Sequence, residues 1–222
     1  MSNIVASTVA IMDSGIGGIS VLKKLISKYK CGNYIYFADN LNMPYGNKNE
    51  NFLTERIKEI INTLQTDYKV ELIIIACNTA SSVAAKLNFN NVVYLSFEKQ
   101  ETYLTTPLTA KLQNKPNFIA DKSLAQQIEN NINNNARLRR IIKHHIKINN
   151  LNKHQRLILG CTHYELVENI FKEFCAETKI SNNSDNIISN ITINAKDLNI
   201  VFITSKQSKE YVEKMQNLLR GI

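Results

Sequence analysis

The chain has 222 residues, 44% of them hydrophobic, and 27 Lys and Arg against 19 Asp and Glu give a formal net charge of +8. That length buries an ample core without disulfide or metal staples, and no apolar run approaches the roughly 20 residues that span a bilayer. The segment Met1-Ser2-Asn3-Ile4-Val5-Ala6-Ser7 lacks the positive flank of a secretory signal, so a cytoplasmic protein is expected, with Cys31, Cys77, Cys161 and Cys175 as free thiols.

Residues 8–12 form an apolar run that reads as a strand. The turn Asp13-Ser14-Gly15-Ile16-Gly17-Gly18 then leads into a helix marked by Leu22, Leu25, Ile26 and Tyr29. A second strand is expected over 34–38, followed by a loop over 39–47 that contains Pro44-Tyr45-Gly46. Leu53, Ile57, Ile60, Ile61 and Leu64 line one face of a second helix. A third strand over 72–76 runs into Cys77 and a third helix, and 91–95 reads as a fourth strand. Strands alternating with helices predict a parallel sheet covered on both faces. Its ligand crevice lies outside the carboxyl ends of the strands.

The pattern weakens around Tyr94. Residues 103–111 are ambiguous between strand and loop, and 123–146 reads as helix interrupted by the Asn-rich stretch 130–135. The strand–helix rhythm resumes at 157–159, with Val167, Ile170, Phe171 and Phe174 on one helix face. Residues 181–194 are polar and read as a surface connection, and a strand at 200–203 with an amphipathic helix at 211–219 follows.

Two cysteines stand in near-matching settings. Ile73-Ile74-Ile75-Ala76-Cys77-Asn78-Thr79-Ala80 and Leu157-Ile158-Leu159-Gly160-Cys161-Thr162-His163-Tyr164 each place a thiol where an apolar strand gives way to a helix. The positive end of a helix dipole lowers a thiol pKa toward neutrality. Two reactive thiols are therefore expected, one accepting and one donating a proton. Asp13-Ser14, Cys77-Asn78-Thr79 and Cys161-Thr162-His163 offer the hydroxyl, amide and N–H donors that a carboxylate ligand wants. The same Ser and Thr side chains would also serve as helix caps.

Other readings fit less well. The loop at Asp13–Gly18 lacks the third glycine of a dinucleotide fingerprint, since Ser20 stands there, and it lacks the Gly-Lys-Ser/Thr ending of a P-loop. A zinc site from Cys77, Cys161 and His163 wants a fourth ligand. A single nucleophile with His163 as base leaves one thiol unexplained. Arg137, Arg139, Arg140, Lys143, Lys147, Lys153 and Arg156 form a basic cluster, with no Asp or Glu between Glu129 and Glu165. No aromatic stacking pattern accompanies it, which favours a solvated face over a nucleic-acid surface.

The motifs Asp13-Ser14-Gly15-x-Gly17-Gly18, Pro44-Tyr45-Gly46, Cys77-Asn78-Thr79-Ala80 and Gly160-Cys161-Thr162-His163-Tyr164 occur in the order seen in bacterial glutamate racemases, which the chain resembles. The resemblance is dense to about residue 90 and again over 157–171. It implies two α/β lobes with mostly parallel sheets and an active site in the cleft between them. Residues 1–93 plus 186–222 would form the first lobe, and 94–185 a trimmed second one. It also implies a racemase that needs neither cofactor nor metal and interconverts L- and D-glutamate for peptidoglycan. Cys77 would act on the D-enantiomer and Cys161 on the L-enantiomer, with Asp13 assisting the first thiol and His163 the second. Asp39 matches a cleft aspartate and Glu129 the glutamate near the second thiol. Ser14, Pro44, Tyr45, Gly46, Asn78, Thr79 and Thr162 match the substrate-holding groups.

The chain also departs from the family. Tyr94-Leu95-Ser96-Phe97-Glu98-Lys99 replaces the usual Gly-Val-x-x-Pro turn, and Tyr164-Glu165-Leu166 the usual Tyr-Pro-Leu. A carboxylate at Glu165 is expected to raise the pKa of Cys161. Racemisation of aspartate or another acidic amino acid stays open, as does a catalytically weakened binding protein using the basic face. A homodimer stays open as the assembly.

Overall fold

A computed structural model describes residues 4–98, 100–189 and 191–220. The signal-segment reading falls partly on residues 1–3 and the 94–99 departure partly on Lys99; these lie outside the described residues, as do 190 and 221–222. The chain opens with β1 (Ile4–Ala6), β2 (Thr8–Asp13), α1 (Ile19–Tyr29), β3 (Gly32–Ala38), α2 (Glu50–Thr66), β4 (Leu72–Ile75), α3 (Asn78–Ala84) and β5 (Val92–Tyr94). Next come β6 (Tyr103–Thr105), α4 (Pro107–Gln113), β7 (Phe118–Ala120), α5 (Leu124–Asn131), α6 (Asn135–Ile148), β8 (Arg156–Leu159), α7 (Thr162–Glu165), α8 (Glu168–Phe174) and β9 (Lys179–Asn182). Then α9 (Asp185–Ile188), β10 (Ile191–Ile193), β11 (Leu198–Thr204) and α10 (Lys209–Leu219) follow.

Two parallel sheets organise these elements. One has the order β11-β3-β2-β4-β5 and the other β7-β6-β8-β9, while β1 and β10 pair as a separate two-stranded ribbon. The β4 run Leu72-Ile73-Ile74-Ile75 is buried throughout, as a central strand of a sheet covered on both faces should be. Side chains alternate along β2. Val9 and Ile11 face Leu22 and Leu25 of α1 and Met215 of α10, whereas Ala10 and Met12 face Leu53, Ile57 and Ile61 of α2. In the other sheet Leu157 and Leu159 pack under Leu124, Ile128, Leu138 and Ile142 of α5 and α6.

Two segments differ from the sequence reading. Residues 103–111 are neither one strand nor a loop: β6 ends and α4 begins at Pro107, whose fixed φ and missing N–H suit a first helical position. Residues 181–194 hold the end of β9, α9 and β10 instead of a surface connection. Ile188, Ile191 and Ile193 are buried in the first core there, interleaved with Asn and Ser that mask their periodicity. No described helix is long and apolar enough to cross a membrane.

The basic cluster is partly neutralised by partners far along the chain. Arg139 pairs with Glu173 and lies over the Phe174 ring, as does Lys143, and Arg156 Nη1 stands 2.7 Å from Glu101 Oε1.

Candidate active site

β2 ends in Asp13, Cys77 caps α3 just past β4, and Cys161 caps α7 just past β8. The carboxyl ends of three strands from two sheets thus deliver the polar groups to one seam. The Thr162 hydroxyl donates to Asp13 Oδ2 at 3.0 Å, and the Ile16 N–H donates to Glu129 Oε2 at 3.1 Å, so the sheets are joined through the site itself.

Around Cys77 the setting is buried and short of cations. The thiol lies 3.8 Å from Ser14 Oγ, and Asp13 is fully buried with Oδ1 accepting from the Gly15 N–H at 2.8 Å. Burial pushes the Asp13 carboxyl up, although the charge on His163 opposes it. Burial, then the negative charge of Asp13, pushes the Cys77 thiol up to about 12. The sequence argument from the helix dipole predicts the opposite. The Ala80 N–H and the Ser14 hydroxyl do favour the thiolate, but they do not offset its desolvation. A charge on Cys161 would also raise Cys77.

The surroundings of Cys161 carry charge. His163 Nε2 and Glu129 Oε2 are 2.7 Å apart, and Lys214 Nζ donates to Glu129 Oε1 at 2.9 Å. Burial alone would lower the His163 pKa, yet the Cys161 sulfur and the Glu129 carboxylate hold it well above the ordinary range. Burial likewise opposes ionisation of Glu129, and His163 and Lys214 overcome it to hold the carboxyl down at about 2. The result is a chain of half-buried ammonium, buried carboxylate and buried imidazolium ending beside a thiol.

Asp39 is held by its own set of donors. Its carboxylate accepts from Arg56 at 2.9 and 3.0 Å and from the Tyr45 hydroxyl at 2.6 Å, and these donors hold it below the usual range against its burial. Asp39 thereby braces Pro44-Tyr45-Gly46, whose Met43–Pro44 peptide is cis. Thr79 Oγ1 joins the hydroxyls of Thr106 and Thr109 at 2.9 and 3.1 Å. Asn78 Nδ2 donates to Asn183 Oδ1 at 2.8 Å, while its buried Oδ1 has no partner. Glu165 does not meet the expectation that its carboxylate acts on Cys161, because that carboxylate bonds instead to Ser20, Lys24 and Ser184.

Sequence reasoning missed Arg56, Lys214, Thr106, Thr109 and Asn183. Arg56 and Lys214 read as ordinary cations on helix faces, and only the chain's return brings Lys214 to Glu129. Thr106 carried a signal in the Thr-Pro pair that starts α4. Among the described residues no three His, Cys, Asp or Glu side chains form a metal-holding group, Cys77, Cys161 and His163 included.

Both thiols are buried in the seam. Cys77 is 6% exposed and Cys161 7%. Glycines permit that closeness: a Cβ on Gly17 would lie 2.3 Å from Thr162 Oγ1 and 2.8 Å from His163 Nδ1, and one on Gly46 2.3 Å from Thr106 Cβ. Beside this seam, Gly46, Lys48, Pro107, Lys111 and Lys122 help line a cavity of about 740 Å³.

No protein-family model matches the chain. Glutamate racemase of Buchnera aphidicola subsp. Schizaphis graminum is 32% identical to it, over 71% of this chain and 73% of that protein. Glutamate racemase of Aliarcobacter butzleri is 31% identical, over 76% of each. Among solved structures, glutamate racemase isoform RacE1 from Bacillus anthracis superposes with a TM-score of 0.79 at 21% identity, covering 97% of this chain and 94% of that one. Glutamate racemase from Campylobacter jejuni subsp. jejuni gives 0.76 at 24% identity, over 96% and 98%. The structural likeness carries the fold. Given 32% identity over most of both chains, and a fold that delivers both thiols to one seam, this protein belongs to the glutamate racemase family of isomerases.

Proposed function

We propose that Cys77 and Cys161 flank the α-carbon of glutamate and interconvert its L- and D-forms without a cofactor, supplying D-glutamate for peptidoglycan. The observation that carries this is the seam in which Thr162, next to Cys161, donates to Asp13 at 3.0 Å, while Ser14, next to Asp13, stands 3.8 Å from the Cys77 sulfur and His163 pairs with Glu129. Cys161 removes the α-proton of L-glutamate and Cys77 that of the D-enantiomer, the other thiol donating on the opposite face each time. Cys77, held as the neutral thiol by burial, is ready to donate. Asp13 stands behind it as its assisting carboxylate. His163, kept cationic by the Cys161 sulfur and Glu129, stabilises negative charge as it develops at Cys161 and on the substrate.

Asp39 acts by bracing the Tyr45 loop. Ser14, Pro44, Tyr45, Gly46, Asn78, Thr79 and Thr162 hold the substrate's carboxylates and ammonium, and the unpartnered Asn78 Oδ1 is available to that ammonium. Substrate enters when the two lobes, residues 1–93 plus 186–222 and 94–185, part along the seam. The same reading includes a cytoplasmic location and a homodimer, the latter checked by sedimentation velocity.

Incubation of L-glutamate with the purified protein in deuterated water, without added cofactor, should give D-glutamate by chiral chromatography and deuterium at the α-carbon. Neither product in either direction would overturn the proposal. The same assay with aspartate decides between the acidic substrates: kcat/KM should favour glutamate, because the longer dicarboxylate spans the seam.

A further inference from the structure

We infer that Glu165 is a positioning residue that fastens the turn carrying Thr162 and His163 to α1 of the other lobe and so sets the Cys161 side of the site. The inference rests on the two-thiol reading above. Glu165 belongs to α7, two residues beyond His163, and its side chain is 1% exposed. Its Oε2 accepts from Ser184 Oγ at 2.7 Å and from Ser20 Oγ at 3.2 Å, with Lys24 Nζ at 3.4 Å. Ser20 and Lys24 lie on α1, the helix that follows the Asp13–Gly18 loop, so this one carboxyl group ties the strand-end turn of β8 to that of β2. The loop's Gly17 packs against Thr162 and His163 with no room for a Cβ, so slippage at Glu165 would be felt directly at the imidazole.

The charges facing Glu165 leave it weakly compensated. Lys24 stands closer to Asp185 Oδ1 of α9, at 2.7 Å, and also donates to Asn182 Oδ1 of β9 at 2.8 Å. Asn182 in turn donates to Glu168 of α8 at 3.0 Å. Glu165 Oε1 is buried without a partner, which suits a neutral acid better than a carboxylate. Accordingly burial, opposed by Lys24 and the two serine hydroxyls, raises the Glu165 carboxyl to about 7. The folded protein prefers the protonated form, so its stabilising contribution is present below the ordinary glutamate range and is lost as pH rises through about 7.

The test compares the parent with Glu165→Ala and Glu165→Gln, using L- and D-glutamate deuterated at the α-carbon. The alanine variant should lose about tenfold or more in kcat. Its primary isotope effect should rise for the L-enantiomer relative to the D-enantiomer, because the Cys161 step becomes the slower one. The glutamine variant, whose amide oxygen still accepts from Ser184 and Ser20, should recover kcat to within about threefold of the parent. An alanine variant within about twofold of the parent, or isotope effects that move equally for both enantiomers, would overturn the inference. If the alanine variant does not fold, Ser184→Ala takes its place with the same readouts. If the parent racemises nothing, the reaction reading fails and Glu165 is judged by melting temperature alone. The glutamine variant should then match the parent at pH 4.5 and exceed it at pH 8, and equal differences at the two pH values would refute the role assigned here.

Discussion

The two thiols look interchangeable in the sequence and are not so in the fold. Cys77 stands among a buried carboxyl, a serine hydroxyl and a seven-residue helix, and it is held as a neutral thiol. Cys161 stands at the end of a chain of paired charges running through His163 and Glu129 to Lys214. A racemase runs in both directions through the same transition states, so its two half-sites need not share the same chemistry. On the proposed mechanism one half would meet developing charge with a preorganised cation, whereas the other would hold a proton in place by excluding water.

The contrast is broken most severely at sulfur. Cys77→Ser and Cys161→Ser should each lower racemisation by about 10²- to 10⁴-fold. Each should leave α-deuterium exchange only for the enantiomer whose abstracting thiol survives, read by mass spectrometry. Next comes Glu129→Gln, which leaves His163 and Lys214 facing a neutral amide. Removing one partner of a buried ionic set costs about 3–5 kcal/mol, measurable by urea denaturation. The parent's Glu129 contribution is present above the ordinary glutamate range and is lost as pH falls toward about 2. The glutamine variant should lack that loss, so the two stabilities converge in acid.

Gly17→Ala tests the seam itself. Its Cβ would collide with Thr162 Oγ1, so the lobes should fail to close fully, with kcat down about tenfold and stability down by about 1–3 kcal/mol. The smallest effect is expected at the basic face. Replacing Arg137, Arg140 and Lys147 by Gln should leave kcat, KM and folding unchanged and reveal no salt-dependent DNA binding. Salt-dependent DNA binding by the parent that this variant loses would revive the binding-protein reading.

Much of this architecture was legible before any coordinates. The uninterrupted apolar run of β4 and the spacing of Leu53, Ile57, Ile60, Ile61 and Leu64 follow from local periodicity, which burial on a parallel sheet enforces. The segment 181–194 was illegible because Ile188, Ile191 and Ile193 sit in short runs among Ser, Asn and Thr that show no sustained period. The thiols, Asp13 and His163 could be read because each lies at a strand end with a motif around it. Lys214 and Arg56 could not, since their importance comes from partners 85 and 17 residues away. The ionisation of Cys77 was misread because a helix end can be seen in a sequence and desolvation cannot.

Placing Lys214 on α10 has a consequence for synthesis. Glu129 and His163 are made by residue 163, yet the cation that anchors Glu129 belongs to a helix translated some fifty residues later. The β11 strand, which completes the first sheet beside β3, is also made late. Any change that disturbs α10 therefore reaches the charges beside Cys161 without touching them in sequence.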